Sequence, residues 1–409
     1  MASHTLAPAT TYLTADDQWA QILARLPADL ETSVLTAGAI LRHREINTAP
    51  QYLRLIFAYA CNLPLSFVVT WAAALGLASL GEEALRKRIR VAGHWLHVVL
   101  LQVLAARTPL PTPMRLRLRL TDGSQAASPG AKGTEFRLHF TFDLFRQRVD
   151  AIELTDAHQG EGLHRSAPQP GDVVVGDRNY GTRAGVLATV LTGAAVLVRI
   201  GWTRFPLVHR EGTPFDLLAE IRTMLHDTVQ AWEVRMIPQQ RTDPVVLGRF
   251  IACRLPADLA RLARERAQKA HAKSAKKNKS GRKAQIQPGT IESAEYLLLF
   301  TTLPALVASA AQVVALYRFR WQIELAIKRM KSLLGLAALT ARHPDLVRAV
   351  LLAKLLLVLL VDDLCEDAVA FSPSGRRRPA APLPVGGVPV SLGDASRDYR
   401  RDLAVAVLG

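Results

Sequence analysis

At 409 residues the chain is long enough for two or three units, each with a buried core. A formal charge of +16 and a pI near 10.2 call for a polyanionic partner, nucleic acid or an acidic membrane surface, without choosing between them. Cys61, Cys253 and Cys365 lie far apart with no C-x-x-C pair, which argues against a disulfide framework and a zinc site and fits a reducing cytoplasm.

The opening stretch, MASHTLAPATTYLTADDQW, has no basic segment followed by an apolar run, so no secretory signal is expected. Residues 15–105 show helical spacing of apolar side chains around Trp19, Ile22, Leu23 and Leu26, and again from Tyr52 to Tyr59. Glycines at 76 and 81 divide the next piece. Ser79 with Glu82 three residues on has capping-box spacing, and the helix it would start carries Arg86, Lys87, Arg88 and Arg90. Helix, turn and basic helix is the layout of a DNA-reading helix-turn-helix, and equally of a plain bundle with exposed cations.

From Met114 the period becomes two. Arg115 to Leu120 alternate strictly and Thr121-Asp122-Gly123 end the run, as a half-buried strand ends in a turn. FRLHFTFDLF from Phe136 and RVDAIELTD from Arg148 repeat the alternation, which predicts an antiparallel meander. Val173 to Val175 read as a strand buried on both faces, with Asp177 directly after Gly176. A helix over 182–191 and the strand AAVLVRIG then complete a strand-helix-strand unit with a parallel connection. Asp122 and Asp177 each suit a turn acid or a catalytic carboxylate.

Residues 202–290 break the pattern: VQAWEVRMIPQQ and VVLGRFIACRL read as strands, followed between Arg261 and Lys283 by an almost wholly basic run. That run fits a disordered or solvated excursion, or a clamp on a DNA backbone. His139, His158 and His164 are irregularly spaced and read as surface histidines. After the strand EYLLLFTTL comes YRFRWQIELAIKRMK, residues 317–331. As one helix it would set Tyr317, Arg320, Glu324 and Lys331 in a stripe about 60° wide, with Phe319, Ile323, Ile327, Met330 and Leu334 on the core side. The polar stripe is either a cleft wall or a solvated face with an ordinary Arg320–Glu324 pair. Leu346 to Leu360, interrupted by Arg348 and Lys354, reads as a buried helix rather than a membrane span.

If the first and fourth strands are neighbours, Asp122 and Asp177 meet at one sheet edge and Glu324 can face them from the helix. Three acids so gathered repel one another unless a divalent cation stands between them. Oxygen-only ligation suits Mg²⁺ or Mn²⁺, and two such ions are suited to in-line attack on phosphorus.

The sequence resembles the DDE transposases of bacterial insertion sequences, in the family marked by Tyr-x2-Arg-x3-Glu-x6-Lys. Tyr317, Arg320, Glu324 and Lys331 match that spacing without a gap, and Asp122 in LTDGS and Asp177 in VGDRNYG take the places of its two aspartates. The likeness covers most of residues 15–365. It implies an α/β fold: a ribonuclease H-like catalytic core with an inserted β-rich segment and an all-helical N-terminal domain. The expected divisions are 1–108, helical and DNA-binding; 109–201 and 291–367, the two parts of the core; 202–290, the insertion with its basic loop; and 368–409, a Pro/Gly/Arg-rich tail.

The implied activity is cleavage of transposon ends and their joining to target DNA. It would use two Mg²⁺ or Mn²⁺ ions held by Asp122, Asp177 and Glu324. Tyr317, Arg320 and Lys331 resemble the family's contacts to the terminal phosphate. Trp321 would stack on a displaced base or pack in the core, and Arg178 and Arg199 would touch the DNA backbone. The expected partners are double-stranded DNA and a second copy of the chain, in a cytoplasmic, nucleoid-associated protein with no membrane. Two alternatives share the sequence features: a catalytically silent DNA-binding regulator, and a metal-dependent nuclease of the same fold.

Overall fold

The computed structural model describes residues 15–41, 44–107, 116–131, 133–146, 148–240, 242–277, 287–321, 323–324, 327, 339 and 341–371. These fall into two compact units, one within Met1–Thr108, Ala127–Ala131 and Met330–Pro379, the other within Pro109–Ala126 and Lys132–Arg329.

In the first unit, six helices come from the N-terminal part: α1 (Ala15–Leu23), α2 (Leu30–Thr36), α3 (Ala49–Ala60), α4 (Leu65–Ala74), α5 (Glu82–Val91) and α6 (Gly93–Arg107). Thr48 and Gln51 form a reciprocal capping box that starts α3. The expected box at Ser79 does not form: α5 begins after Gly81 with no side-chain cap, and the Ser79 amide instead donates to Glu45. In the core Tyr52 stacks on Trp95 with ring centroids 5.5 Å apart. The Trp95 indole donates to Ser33 Oγ at 3.0 Å and the Tyr52 hydroxyl to the Arg88 carbonyl, so neither aromatic leaves a polar atom idle.

The long apolar helix lies in the same unit, at Pro344–Phe371, and packs against α3, α5 and α6. Lys354, the cation that interrupts it, is fully buried and donates to Asn62 Oδ1 at 3.0 Å. That contact satisfies an ammonium that burial would otherwise make costly. Among the described residues no single helix is long and apolar enough to cross a membrane.

The second unit is built on a nine-stranded sheet: β1 (Arg117–Ala126), β2 (Phe136–Asp143), β3 (Arg148–Asp156), β4 (Asp172–Gly176), β5 (Ala195–Arg199), β6 (Leu207–His209), β7 (Val229–Met236), β8 (Val246–Arg254) and β9 (Tyr296–Thr301). Its order is β3-β2-β1-β4-β5-β9-β8-β7-β6. The first three strands form the expected meander, and β1, β4 and β5 run parallel. The crossover from β4 to β5 passes through α7 (Arg183–Leu191), capped by Thr182.

β1 does not end at Asp122 as the sequence implied. Pairing with β2 continues through Asp122↔Phe140 to Ala126↔Phe136, while the parallel pairing with β4 stops at Leu120↔Val175. One edge of the strand therefore stays bonded past the point where the other opens. Nor is β1 half-buried at its start, for Leu118, Arg119, Leu120 and Thr121 are all buried. Arg119 pairs with Asp150 of β3 and Asp172 of β4, and Arg117 forms a two-pronged bond with Asp172.

β6, β7 and β8 extend the same sheet through β9. The basic run is not an irregular loop over its first part, since α9 spans Ala257–Lys277; residues 278–283 lie outside the described set. Polar turns are here carried by long helix-favouring side chains and alanines. α8 (Leu217–Arg222), α10 (Pro288–Ser293), α11 (Ala310–Arg318) and a single 3-10 turn at Leu163–Ser166 are the further described elements of this unit. The single helix expected over 317–331 is interrupted, because α11 closes at Phe319 before helical geometry resumes at Arg320. Ile323 and Ile327 are buried as expected, but Phe319 is 43 % exposed at the break. Met330, Lys331 and Leu334 lie outside the described residues.

Candidate active site

Past Leu120↔Val175, β1 and β4 no longer pair, and extending that register by two residues sets the Asp122 and Asp177 positions side by side at the carboxyl edge. Parallel sheets leave a crevice at such an edge. Asp122 Oδ1 accepts from the Gly123 amide at 2.7 Å. Asp177 Oδ1 accepts from the amides of Asn179 and Tyr180 at 2.8 and 3.2 Å, so this carboxylate also braces the loop that leaves β4.

Burial pushes the Asp122 carboxyl up to about 6; the Gly123 amide and Arg320 oppose this, and the negative fields of Asp177 and Glu324 reinforce it. Tyr317 is fully buried, and its hydroxyl has no hydrogen-bond partner among the described residues. Burial raises that phenol to about 12, while the nearby Arg199 and Arg320 pull the other way. Arg320 is buried too and pairs with Glu324 at 2.5 Å. The two residues thus form the expected i,i+4 pair, but in a largely buried setting rather than on an open face.

Five of the residues singled out by sequence, Asp122, Asp177, Glu324, Tyr317 and Arg320, therefore act on one another electrostatically. Arg199, half-buried at the end of β5, belongs to the same field. Burial lowers its guanidinium pKa, the phenol of Tyr317 opposes that shift, and Arg178 and Arg320 add to it. Arg178 is exposed, and Trp321 is half-buried beside Arg320.

Two neighbours escaped the sequence reading. A Cβ on Gly123 would lie 3.0 Å from Tyr180 Oη and 3.2 Å from Glu161 Oε1, which places a fourth carboxylate and a buried phenol against the Asp122 turn. Burial raises the Glu161 pKa and Asp177 adds to the shift. The ring of His139 lies 3.3 Å from Tyr180 Oη and 3.0 Å from Thr155 Oγ1. His139 is therefore not a surface histidine: burial, helped by Arg165, lowers it to about 4 and keeps it neutral. His158 and His164 are exposed as expected. Tyr180 follows Asp177 by three positions, a signal the sequence did offer; nothing local marks Glu161.

Among the described residues no three His, Cys, Asp or Glu side chains stand together at metal-holding distance. Glu324 instead pairs with Arg320. The donor set nonetheless fits a hard divalent ion: oxygen ligands only, partly dehydrated, with the Asp122 carboxyl raised by burial first and then by its acidic neighbours.

A family model for the transposase DDE domain matches residues 112–360. The chain is 35 % identical over 366 residues to a protein named as the putative InsL transposase of insertion sequence element IS186A from Escherichia coli (strain K12), covering 87 % of this chain and 96 % of the relative. The transposase of insertion sequence element IS421 from Escherichia coli is 35 % identical over 367 residues with the same coverage. A family that works with divalent metal and acts on DNA accounts for both the acidic edge and the basic chain. The chain belongs to the DDE transposases of insertion sequences.

Proposed function

We propose that this transposase cuts the ends of its element and joins them to target DNA at the edge formed by Asp122, Asp177 and Glu324. The observation that carries the reading is the β1–β4 register, which sets the Asp122 and Asp177 positions side by side at the carboxyl edge, with Asp122 raised by burial and by the fields of Asp177 and Glu324. A side chain so placed is disfavoured in its charged form until a cation arrives. The strand order β3-β2-β1-β4-β5, antiparallel then parallel, supports a ribonuclease H-like core, with β6 to β8 as the inserted β-rich segment and the N-terminal helices as a DNA-binding domain.

Asp122, Asp177 and Glu324 would hold two Mg²⁺ or Mn²⁺ ions, with Glu324 exchanging its bond to Arg320 for the metal. When bound, such ions activate a water or a 3′-hydroxyl and stabilise charge on the phosphate. The chain's own groups orient the DNA. Arg320, freed from Glu324, and the idle hydroxyl of Tyr317 donate to the terminal phosphate, and Arg199 adds positive field beside them. Lys331 joins them by its place in the family spacing. Arg178, exposed one residue past Asp177, meets the backbone, and Trp321 stacks on a base or packs beside Arg320. The buried phenol of Tyr180 and neutral His139 keep water from the inner wall. Double-stranded DNA, both transposon end and target, is the substrate, bound by a homodimer in the cytoplasm, on the nucleoid.

Incubating the protein with DNA carrying the element's ends tests this. Cleavage and joining should require Mg²⁺ or Mn²⁺ and vanish in Asp122→Ala, Asp177→Ala and Glu324→Ala while DNA binding persists. Full cleavage by any of the three would overturn the assignment. Cleavage without joining would leave the nuclease reading, and binding without either would leave the silent regulator.

A further inference from the structure

The basic helix α9 starts at the same sheet edge as the carboxylates. β9 is antiparallel to β5 and β8 is antiparallel to β9, so β8 runs in the direction of β4. The carboxyl end of β8, Arg254, therefore opens at the edge where Asp122 and Asp177 stand, and α9 begins three residues later at Ala257. Three strand steps separate β4 from β8, about 14 Å along that edge.

α9 changes character along its length. Its first turns are anchored: Ala260 and Ala263 are buried, and Arg264 pairs with Glu295 of the core at 2.8 Å. Over residues 268–272 the side chains open to solvent: Gln268, Lys269, Ala270 and Ala272 are exposed and His271 is half-buried. Alanines and lysines, both good helix formers, suit the helix to continue through Lys277. After Glu265 the sequence holds no acid until Glu292. The cations past the anchor, Arg266, Lys269, Lys273, Lys276 and Lys277, occupy backbone positions within a sector about 100° wide at 100° per residue. The ten residues 268–277 reach about 15 Å, close to half a turn of duplex DNA.

We infer that the distal half of α9 is an arm that lies along the phosphate backbone of duplex DNA crossing the carboxylate edge, and that it holds that DNA without reading its sequence. A row of lysines with no amide or carboxylate side chain between Gln268 and the end of the helix offers charge and no base-discriminating pattern. The inference rests on the transposase reading and adds where the duplex is gripped.

The test uses the full chain with Lys269, Lys273, Lys276 and Lys277 all changed to glutamine, which preserves helix propensity, and a matching set changed to arginine. Binding to a duplex of arbitrary sequence is followed against salt concentration without divalent metal. Each phosphate left without its cation lowers the slope of log K on log salt by about 0.9, so the glutamine set should reduce the slope by about 2–4 and the arginine set by almost nothing. Far-ultraviolet circular dichroism checks that both sets fold. An unchanged slope in the glutamine set, or an equal reduction in the arginine set, overturns the arm. Metal-dependent cleavage of end DNA by the unsubstituted chain, measured alongside, reports separately on the transposase reading.

Discussion

Asp122 carries the most informative single number in the molecule. Its folded pKa of about 6 exceeds the ordinary 3.8, so the neutral form is favoured in the fold. The stability this contributes is complete below the ordinary value and is lost as pH rises through about 6. Asp122→Asn, which keeps the acceptor for the Gly123 amide, should therefore stabilise the metal-free protein at pH 7.5 by on the order of 1–3 kcal/mol and change little at pH 4, measured by denaturant unfolding at both. Mn²⁺ should raise the melting temperature of the unsubstituted chain more at pH 7.5 than at pH 5.5, because its ligand must first lose a proton. Tyr317 makes a second residue-scale prediction. Its hydroxyl is buried with no hydrogen-bond partner among the described residues, so Tyr317→Phe should leave stability unchanged or raise it by up to about 1 kcal/mol, while cleavage of end DNA falls about tenfold or more. A structural hydroxyl would show the reverse. That Asp122, Asp177, Tyr317, Arg320 and Glu324 lie in one field was legible from the family spacing and from the strand positions of the two aspartates, although β1 runs on past Asp122. Glu161 was not, because it reaches the site through a connection whose path no local periodicity encodes.

At the scale of elements, the period-two run in β1 was plain, yet it could not show that its arginine face is buried as well. Arg119 finds Asp150 and Asp172 at separations of 31 and 53 residues, beyond anything an alternation pattern contains. Removing one partner of so buried a network strands a charge, so Asp150→Ala should cost about 3–5 kcal/mol, read as a shift in denaturant midpoint. Changing Arg119 and Asp150 together to apolar residues should cost less than Asp150→Ala alone. The loop after β4 has a similar hidden constraint. A Cβ at Gly181 would overlap the carbonyl oxygen of Arg199, so Gly181→Ala must push the Asp177 loop away from the end of β5. The expected result is a loss of about 1–3 kcal/mol together with weaker cleavage. The break at Phe319 was hidden for a different reason: residues on both sides favour helix, and only the exposed ring marks the turn.

For the whole molecule, the sequence indicated the meander, the parallel pair and the helices before and after the sheet. It did not indicate that β6, β7 and β8 would continue the same sheet through β9, because strand partners distant in sequence are chosen by burial on both faces of β9 rather than by any turn. That continuity brings the basic helix α9 to the edge that bears the acids, so the +16 charge is partly organised around the candidate chemistry. The central claim is that Asp122, Asp177 and Glu324 share divalent metal when DNA is bound. Electron paramagnetic resonance of free Mn²⁺ measures this directly, titrating the ion into the protein–DNA complex of the unsubstituted chain and of Asp122→Asn, Asp177→Asn and Glu324→Gln. Tight Mn²⁺ uptake by the first and a loss of tenfold or more in affinity in each variant is the predicted result; uptake that is the same in all four would contradict the account.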